Sequence, residues 1–118
     1  MRFIPTKVHG VIDYTVGSLM TSSPLMGVKG SAEKAIPVAL GIGATAYSLF
    51  TDYELGAVRA LPMKAHLTLD VLSGAFLLAS PLIFKNMDRK AKISFVALGL
   101  FEIAASLFTK TEPEEEED

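Results

Sequence analysis

Residues 2–13 read RFIPTKVHGVID, and residues 59–70 read RALPMKAHLTLD. An arginine, a proline, a lysine, a histidine and an aspartate therefore recur at a spacing of 57 positions. Over a longer window, residues 2–27 share 9 identities with the segment that lies 57 positions later. So many matches are more than chance would give, and the chain is predicted to contain a tandem repeat.

The second half of each repeat aligns at a slightly different spacing. Residues 38–54 share 10 identities with the segment that lies 58 positions later. The extra residue is expected in a loop between paired helices, where insertions are tolerated. Repeat 1 is thus predicted at residues 2–54 and repeat 2 at residues 59–112.

Composition excludes several classes of protein. The chain has 118 residues, enough for one domain; half of them are apolar, 20% are charged, and the mean hydropathy is +0.39. A disordered protein would have fewer apolar residues and a higher net charge. Eleven Lys and Arg against thirteen Asp and Glu argue against a nucleic-acid partner. The absence of cysteine excludes disulfides, thiolate zinc sites and cysteine nucleophiles.

Four long apolar runs dominate the chain, and the fourth contains a single charge, Glu102. The runs are too long for strands and are rich in Ala, Leu and Met, which favours helices. Each run extends through a few polar residues to about 27 Å or more, close to the thickness of a bilayer core. The predicted spans are Pro5–Ser23, Ser31–Thr51, Pro62–Pro81 and Asp88–Thr109. The fold class is therefore predicted to be all-α, a four-helix transmembrane bundle.

Helix starts are marked by prolines and by capping residues. Pro5 and Pro62 are predicted in the first turns of helices 1 and 3, where proline is favoured. Ser31 and Asp88 are predicted N-caps of helices 2 and 4, because their side chains can accept from free backbone N–H groups.

Two Ser-Pro pairs lie near the ends of helices 1 and 3. Ser23-Pro24 and Ser80-Pro81 are predicted to end or kink these helices, since proline cannot continue the hydrogen-bond ladder. Each serine is predicted to bond a carbonyl that the proline leaves free. No general base accompanies either serine, so neither is predicted to act as a nucleophile.

Each repeat is predicted to form a helical hairpin. Because each hairpin crosses the membrane twice, the two copies have the same orientation, and a pseudo-twofold axis along the membrane normal relates them. Residues 1–109 form the single membrane domain, and residues 110–118 are a predicted disordered acidic tail. The arrangement places equivalent residues of the two hairpins at the same depth.

The tandem hairpins with Ser-Pro pairs, together with the opening stretch Arg-Phe-Ile-Pro-Thr-Lys-Val-His-Gly-Val-Ile-Asp-Tyr, resemble the SPW-repeat family of bacterial integral membrane proteins. The resemblance covers the chain to about Thr109. It departs from the signature at Leu25 and Leu82, which stand where the family has tryptophan. The resemblance implies a multi-pass protein of the bacterial inner membrane, and it implies no established activity.

The polar residues inside the helices are the candidates for chemistry. His9 and Asp13 are four residues apart and share a helix face, and His66 and Asp70 repeat this arrangement. One interpretation is structural, with the pairs joining helix 1 to helix 3 by hydrogen bonds. The alternative is that the pairs bind a cation or relay protons, since imidazole and carboxylate ligate metals and histidine titrates near neutral pH.

Glu102 breaks the repeat, because its aligned partner is Ala44. A carboxylate in the middle of helix 4 needs a partner or a proton. It is predicted to be a neutral or hydrogen-bonded group facing the bundle or a subunit contact. The functional alternative is a protonatable site beside the His-Asp pairs.

The sequence therefore predicts a small multi-pass membrane protein without catalytic activity, a structural or partner-binding module. Its predicted partners are the lipid bilayer and either a second copy or another membrane protein, and no cofactor, metal or nucleic acid is predicted. The alternative function is ion or proton transport through the His-Asp pairs and Glu102. A soluble four-helix bundle is the third possibility, but it would need polar helix faces, and residues 35–51 carry no charge.

Overall fold

The computed structural model describes residues 1–26 and 30–113. Within these ranges the chain forms four α-helices: α1 Thr6–Thr21, α2 Ser31–Leu49, α3 Met63–Ile83 and α4 Arg89–Phe108. A short 3₁₀ helix, Ser23–Met26, follows α1. The described ranges contain two isolated backbone bridges and no strand. The predicted all-α class with four helices is confirmed for this part of the chain.

Consecutive helices pack as pairs, α1 against α2 and α3 against α4. Glycines allow the close approach in both pairs. A Cβ atom built on Gly41 would lie 2.7 Å from the Gly17 carbonyl oxygen, and one on Gly99 would lie 2.7 Å from that of Gly74. Small residues at such crossings bring helix backbones into direct contact.

Short extended segments connect the start of one helix with the end of another. The N–H of Ile4, just before α1, donates to the Phe108 carbonyl at the end of α4 at 2.9 Å. The N–H of Leu61, just before α3, donates to the Phe50 carbonyl after α2 at 2.7 Å. The ends of α2 and α4 are thereby held beside the starts of α3 and α1. Lys110, the first residue of the predicted tail, donates its N–H to Ile4 at 2.9 Å, and residues 114–118 lie outside the described ranges.

Both prolines at helix starts lie one position earlier than predicted. Pro5 and Pro62 precede the first helical residue, and their ψ angles of 147° and 146° are extended. Their carbonyls still accept the first helical hydrogen bonds, from the N–H groups of His9 and His66, at 3.1 Å in both cases. They therefore serve as N-cap residues and set the entry of the chain into each helix.

The two predicted N-caps have different outcomes. Asp88 is confirmed, since its carboxylate accepts from the Ala91 N–H at 2.8 Å. The prediction for Ser31 is wrong, because Ser31 is already helical and Gly30 is the cap. A Cβ on Gly30 would lie 1.7 Å from Glu33 Oε2, so the glutamate carboxylate occupies the space beside the cap.

The Ser-Pro pairs do not behave alike. α1 ends two residues before Ser23, as predicted for a helix end, but α3 continues through Pro81 to its last turn. Ser80 donates to the Phe76 carbonyl at 2.7 Å. The carbonyl that Pro81 leaves free is that of Leu77, one position later, so the predicted serine bond is wrong at this pair. Ser23 Oγ is buried and has no hydrogen-bond partner within the described residues.

The buried apolar core is small, and much apolar surface is exposed. One core cluster lies between the hairpins and contains Met20, Ile36, Leu77, Met87 and Phe95. A second cluster, Tyr53, Met63 and Leu67, lies at the other end. By length and composition, α3 and α4 are apolar enough to cross a membrane.

A buried histidine and aspartate quartet as the candidate functional site

The structure brings together the two predicted His-Asp pairs. His9 and Asp13 lie on α1, and His66 and Asp70 lie on α3; these four residues are called the quartet below. Each offers one ligand atom, and the four atoms lie within 4.8 Å of one another. His9, His66 and Asp70 are buried, and the Asp13 side chain is 9% exposed. The spacing of four residues directs each pair to one helix face, and the two faces meet.

Contacts within the quartet cross between the hairpins. His9 Nε2 lies 2.8 Å from Asp70 Oδ2 and 3.1 Å from Asp13 Oδ1. His66 Nε2 lies 3.0 Å from Asp13 Oδ2 and 3.2 Å from Asp70 Oδ2. Each imidazole therefore contacts a carboxylate of its own helix and one of the other helix. For each ring the shorter of the two distances is the one between helices, so the quartet joins α1 to α3.

A threonine hydroxyl is hydrogen-bonded to the Nδ1 atom of each imidazole. Thr109 Oγ1 lies 2.7 Å from His9 Nδ1, and Thr51 Oγ1 lies 2.7 Å from His66 Nδ1. Thr109 donates its own proton to the Ala105 carbonyl at 2.6 Å, and Thr51 donates to a carbonyl one turn earlier at 2.7 Å. Because a hydroxyl has one proton to give, each threonine must accept from Nδ1–H. Both rings are thus protonated at Nδ1 and turn Nε2 toward the carboxylates.

Two tyrosines hold the carboxylates from the other side. Tyr47 on α2 donates its hydroxyl to Asp70 Oδ1, and Tyr53, which follows α2, donates to Asp13 Oδ2 at 3.0 Å. Burial, together with the negative charge of Asp13, raises the pKa of Tyr53, so the phenol stays protonated and remains a donor. Each carboxylate is therefore oriented by a phenol as well as by the imidazoles.

The quartet needs positive charge to be stable. Two carboxylates buried this close together repel each other and lose their hydration. Protons on both Nε2 atoms would supply two positive charges, and a divalent cation between the four ligand atoms would supply the same. His66 Nε2 has no hydrogen-bond acceptor in line with it among the described residues, although carboxylate oxygens lie at 3.0 and 3.2 Å.

Glu102 lies beside the quartet rather than in it. It lines a cavity of about 20 Å³ together with His9, Asp13 and Asp70, and its aligned partner Ala44 lines the same cavity. A cavity of this size holds one water molecule or one ion. Glu102 Oε2 is buried and has no hydrogen-bond partner in the described part of the chain.

Sequence reasoning located the quartet but missed the residues that orient it. Thr51 and Thr109 align with each other in the predicted repeat, so the alignment contained a signal for them. Tyr47 and Tyr53 align with an alanine and a threonine, and nothing in the sequence pointed to them. Ser80, ten residues beyond Asp70 on the same helix, lies about 15 Å from it along the axis and takes no part in the site.

Comparison with known proteins gives no further guide. No family model matches the chain, and no curated protein or solved structure does. The resemblance to SPW-repeat proteins therefore stays a prediction. The quartet and its surroundings are the basis on which a function can be proposed.

Proposed function

We propose that this chain is a small four-span protein of the bacterial inner membrane, a structural or partner-binding module whose two hairpins are joined by the quartet. One observation carries the proposal: all four helices expose large apolar side chains, while the histidines and aspartates of α1 and α3 converge inside. The exposed apolar residues include Val8, Val11 and Leu19 on α1, Ile42 and Leu49 on α2, Leu72 and Phe76 on α3, and Ile93, Leu100 and Leu107 on α4. Single exposed apolar side chains are normal in soluble proteins, but large ones on all four helices around a buried charged centre are the distribution expected in a bilayer.

Helix lengths support the spanning arrangement. The 21 residues of α3 and the 20 of α4 reach about 30 Å, the thickness of the hydrocarbon core. The 19 residues of α2 reach about 28 Å, and the 16 of α1 reach about 24 Å before the 3₁₀ turn adds to them. Close packing of α1 on α2 and of α3 on α4 fits two hairpins related by a pseudo-twofold axis.

The quartet explains how such a module stays assembled. Separating the hairpins in a bilayer would leave His9 apart from Asp70 and His66 apart from Asp13, in a solvent that cannot hydrate them. The paired ions therefore favour one compact unit, whose outer faces are left to lipid, to a second copy or to a membrane partner. This role agrees with the resemblance to SPW-repeat proteins, to which we propose the chain belongs.

A second function, ion or proton transport, is favoured by the surroundings of Glu102. Glu102 has an unpartnered buried oxygen, and it lines the small cavity that is also lined by three members of the quartet. A carboxyl group beside a small cavity that also reaches His9, Asp13 and Asp70 can accept a proton or a cation from the quartet. Transport would then proceed from the quartet toward α4.

Membrane fractionation tests the location. The full chain is expected to stay in the membrane pellet after a carbonate wash and to dissolve on addition of detergent. Release by carbonate would refute the membrane proposal.

Reconstituted vesicles separate the two functions. The module is expected to carry no proton or cation current above that of empty vesicles. A current that the Glu102→Gln variant abolishes, and that the exposed-loop variant Asp52→Asn keeps, would favour transport. Both variants replace one carboxyl group by an amide, so the comparison isolates the position of that group.

A further inference from the structure

The two histidines present the same nitrogen to the centre of the quartet. Nδ1 of each ring is occupied by a threonine hydroxyl at 2.7 Å, and that hydroxyl is committed as a donor to a backbone carbonyl. Nε2 of each ring is therefore the atom left for the quartet. In known metal sites, a hydrogen bond to the far ring nitrogen fixes the tautomer and orients the ring in this way.

We propose that the quartet binds one divalent transition-metal ion of the zinc type. The ligands are Nε2 of His9, Nε2 of His66 and one carboxylate oxygen each from Asp13 and Asp70. The inference rests on the proposed function in one respect, that the quartet lies at the junction of the two hairpins inside the bilayer. It adds the chemical class of the cation that joins them.

The distances suit four-coordination. Zinc binds imidazole nitrogen and carboxylate oxygen at about 2.0–2.2 Å in a tetrahedron, whose edges are then about 3.3–3.5 Å. With Oδ2 as the ligand atom of both aspartates, three of the tetrahedron's edges are Nε2–oxygen distances of 2.8, 3.0 and 3.2 Å. Binding of the ion needs these short edges to open by a few tenths of an ångström, and it needs the rest of the ligand atoms, which lie within 4.8 Å of one another, to take up the same spacing.

The direction of His66 Nε2 also favours a metal over a proton. An Nε2–H group would need an acceptor in line, and the described residues provide none, even though two carboxylate oxygens are near. A metal ion shared with those oxygens would give this buried nitrogen the partner that the described residues do not provide. The phenols of Tyr47 and Tyr53 fix the carboxylates in turn.

Charge and ligand type narrow the choice of ion. Two carboxylates and a divalent ion sum to zero when both imidazoles are neutral, which suits a site with little contact to water. Mg²⁺ and Ca²⁺ prefer six or more oxygen ligands, whereas imidazole nitrogen favours zinc and its neighbours in the first transition row. The N₂O₂ set from these four residues therefore points to a tetrahedral ion such as Zn²⁺ or Co²⁺.

The test uses the full chain, purified in detergent and stripped of metal with a chelator. Titration with Co²⁺ is expected to give one bound ion per chain and the strong visible absorption of a tetrahedral site. Zn²⁺ is expected to abolish the absorption by displacement, and Mg²⁺ to leave it unchanged. An absence of Co²⁺ and Zn²⁺ binding by chain that stays folded would overturn the inference.

Variants show whether the ion sits in the quartet. Asp70→Asn is expected to abolish binding, and retained binding in this variant would place the ion elsewhere and overturn the inference. Thr51→Val keeps every ligand but removes the support of His66, and it is expected to weaken Zn²⁺ binding about 10- to 100-fold. Thr68→Val is the matched control, because Thr68 is exposed on α3 and donates to Lys64 in the same local pattern.

The two proposals can fail separately. Chain that resists carbonate but binds no transition metal would leave the membrane module intact and identify the quartet as an ion-pair network with protonated imidazoles. Chain that carbonate releases, but that binds Zn²⁺ through Asp70, would support the metal site and overturn the membrane proposal. Thermal unfolding with and without Zn²⁺ checks that Asp70→Asn is folded when its binding is measured.

Discussion

A single methyl group placed on Gly41 tests the packing that forms the first hairpin. The new Cβ would lie 2.7 Å from the Gly17 carbonyl oxygen and 2.8 Å from the Thr21 backbone nitrogen. Ordinary contact begins near 3.4 Å, so the methyl group is about 0.7 Å too close to the nearer atom. Both atoms belong to the backbone of α1 and cannot rotate away, so α1 and α2 have to move apart.

The size of the effect follows from two opposing terms. Overpacking at a tight contact costs about 1–3 kcal/mol, and alanine gains about 0.8–1 kcal/mol over glycine within a helix. Gly41→Ala is therefore expected to lower the free energy of unfolding by up to about 2 kcal/mol. Gly43→Ala lies two residues along the same helix, where a Cβ meets nothing within 4 Å. It is expected to raise the free energy of unfolding by up to about 1 kcal/mol.

Denaturation in detergent micelles, followed by the helical circular dichroism signal, measures the difference. The two variants add the same methyl group to the same helix, so the comparison isolates its surroundings. If Gly41→Ala proves as stable as Gly43→Ala, α1 and α2 do not approach closely enough at Gly41 for a methyl group to clash. The close contact of Gly74 with Gly99 gives the same expectation for Gly99→Ala.

Three further predictions concern the cap and the quartet. Asp70→Asn is expected to lower the free energy of unfolding by about 3–5 kcal/mol, because both buried histidines lose a charged partner. The same denaturation assay measures this loss, and the exposed variant Asp52→Asn is expected to leave the free energy of unfolding unchanged. Tyr53→Phe is expected to cost about 1.5–3 kcal/mol, since it removes a hydrogen bond to the Asp13 carboxylate, and an unchanged midpoint would contradict that bond. Asp88→Ala is expected to cost about 1 kcal/mol through loss of the N-cap of α4, and Asp88→Ser, which can still cap, should restore most of it.

The predicted repeat made the quartet predictable. His9 and Asp13 lie four residues apart, and His66 and Asp70 have the same spacing. Equal depth in two predicted parallel hairpins would bring the two pairs to one level. The sequence could not show that the two pairs are in direct contact, because this depends on the orientation of α1 relative to α3. The bonds of Ile4 and Leu61 to the ends of α4 and α2 contribute to that placement, and such long-range pairings leave no local pattern.

The misplaced helix ends have local physical causes. Ser31 is a good capping residue by type, but Glu33 already fills the space beside Gly30, and the helix begins one residue earlier than a serine cap would allow. Pro81 fits inside the last turn of α3 because the helix ends only two residues later, so a single carbonyl loses its donor. Sequence rules predict which residue types can cap or end a helix, whereas contacts with neighbouring side chains decide at which residue the helix begins or ends.

The surroundings of the quartet are less symmetric than the quartet itself. Each imidazole is hydrogen-bonded to a threonine. Tyr47 and Tyr53, however, both belong to the first predicted repeat. Glu102 belongs to the second, and its aligned partner Ala44 lines the same cavity. The carboxylates are thus held by hydrogen-bond donors on one side and face a third carboxylate across a small cavity on the other. The Glu102 carboxyl group is therefore an acceptor that a proton or cation from the quartet could reach across the cavity, whereas the phenols of Tyr47 and Tyr53 present protons to the quartet. In the transport alternative, the proposed path therefore leaves the quartet toward Glu102 on α4, at a position where the two predicted repeats differ.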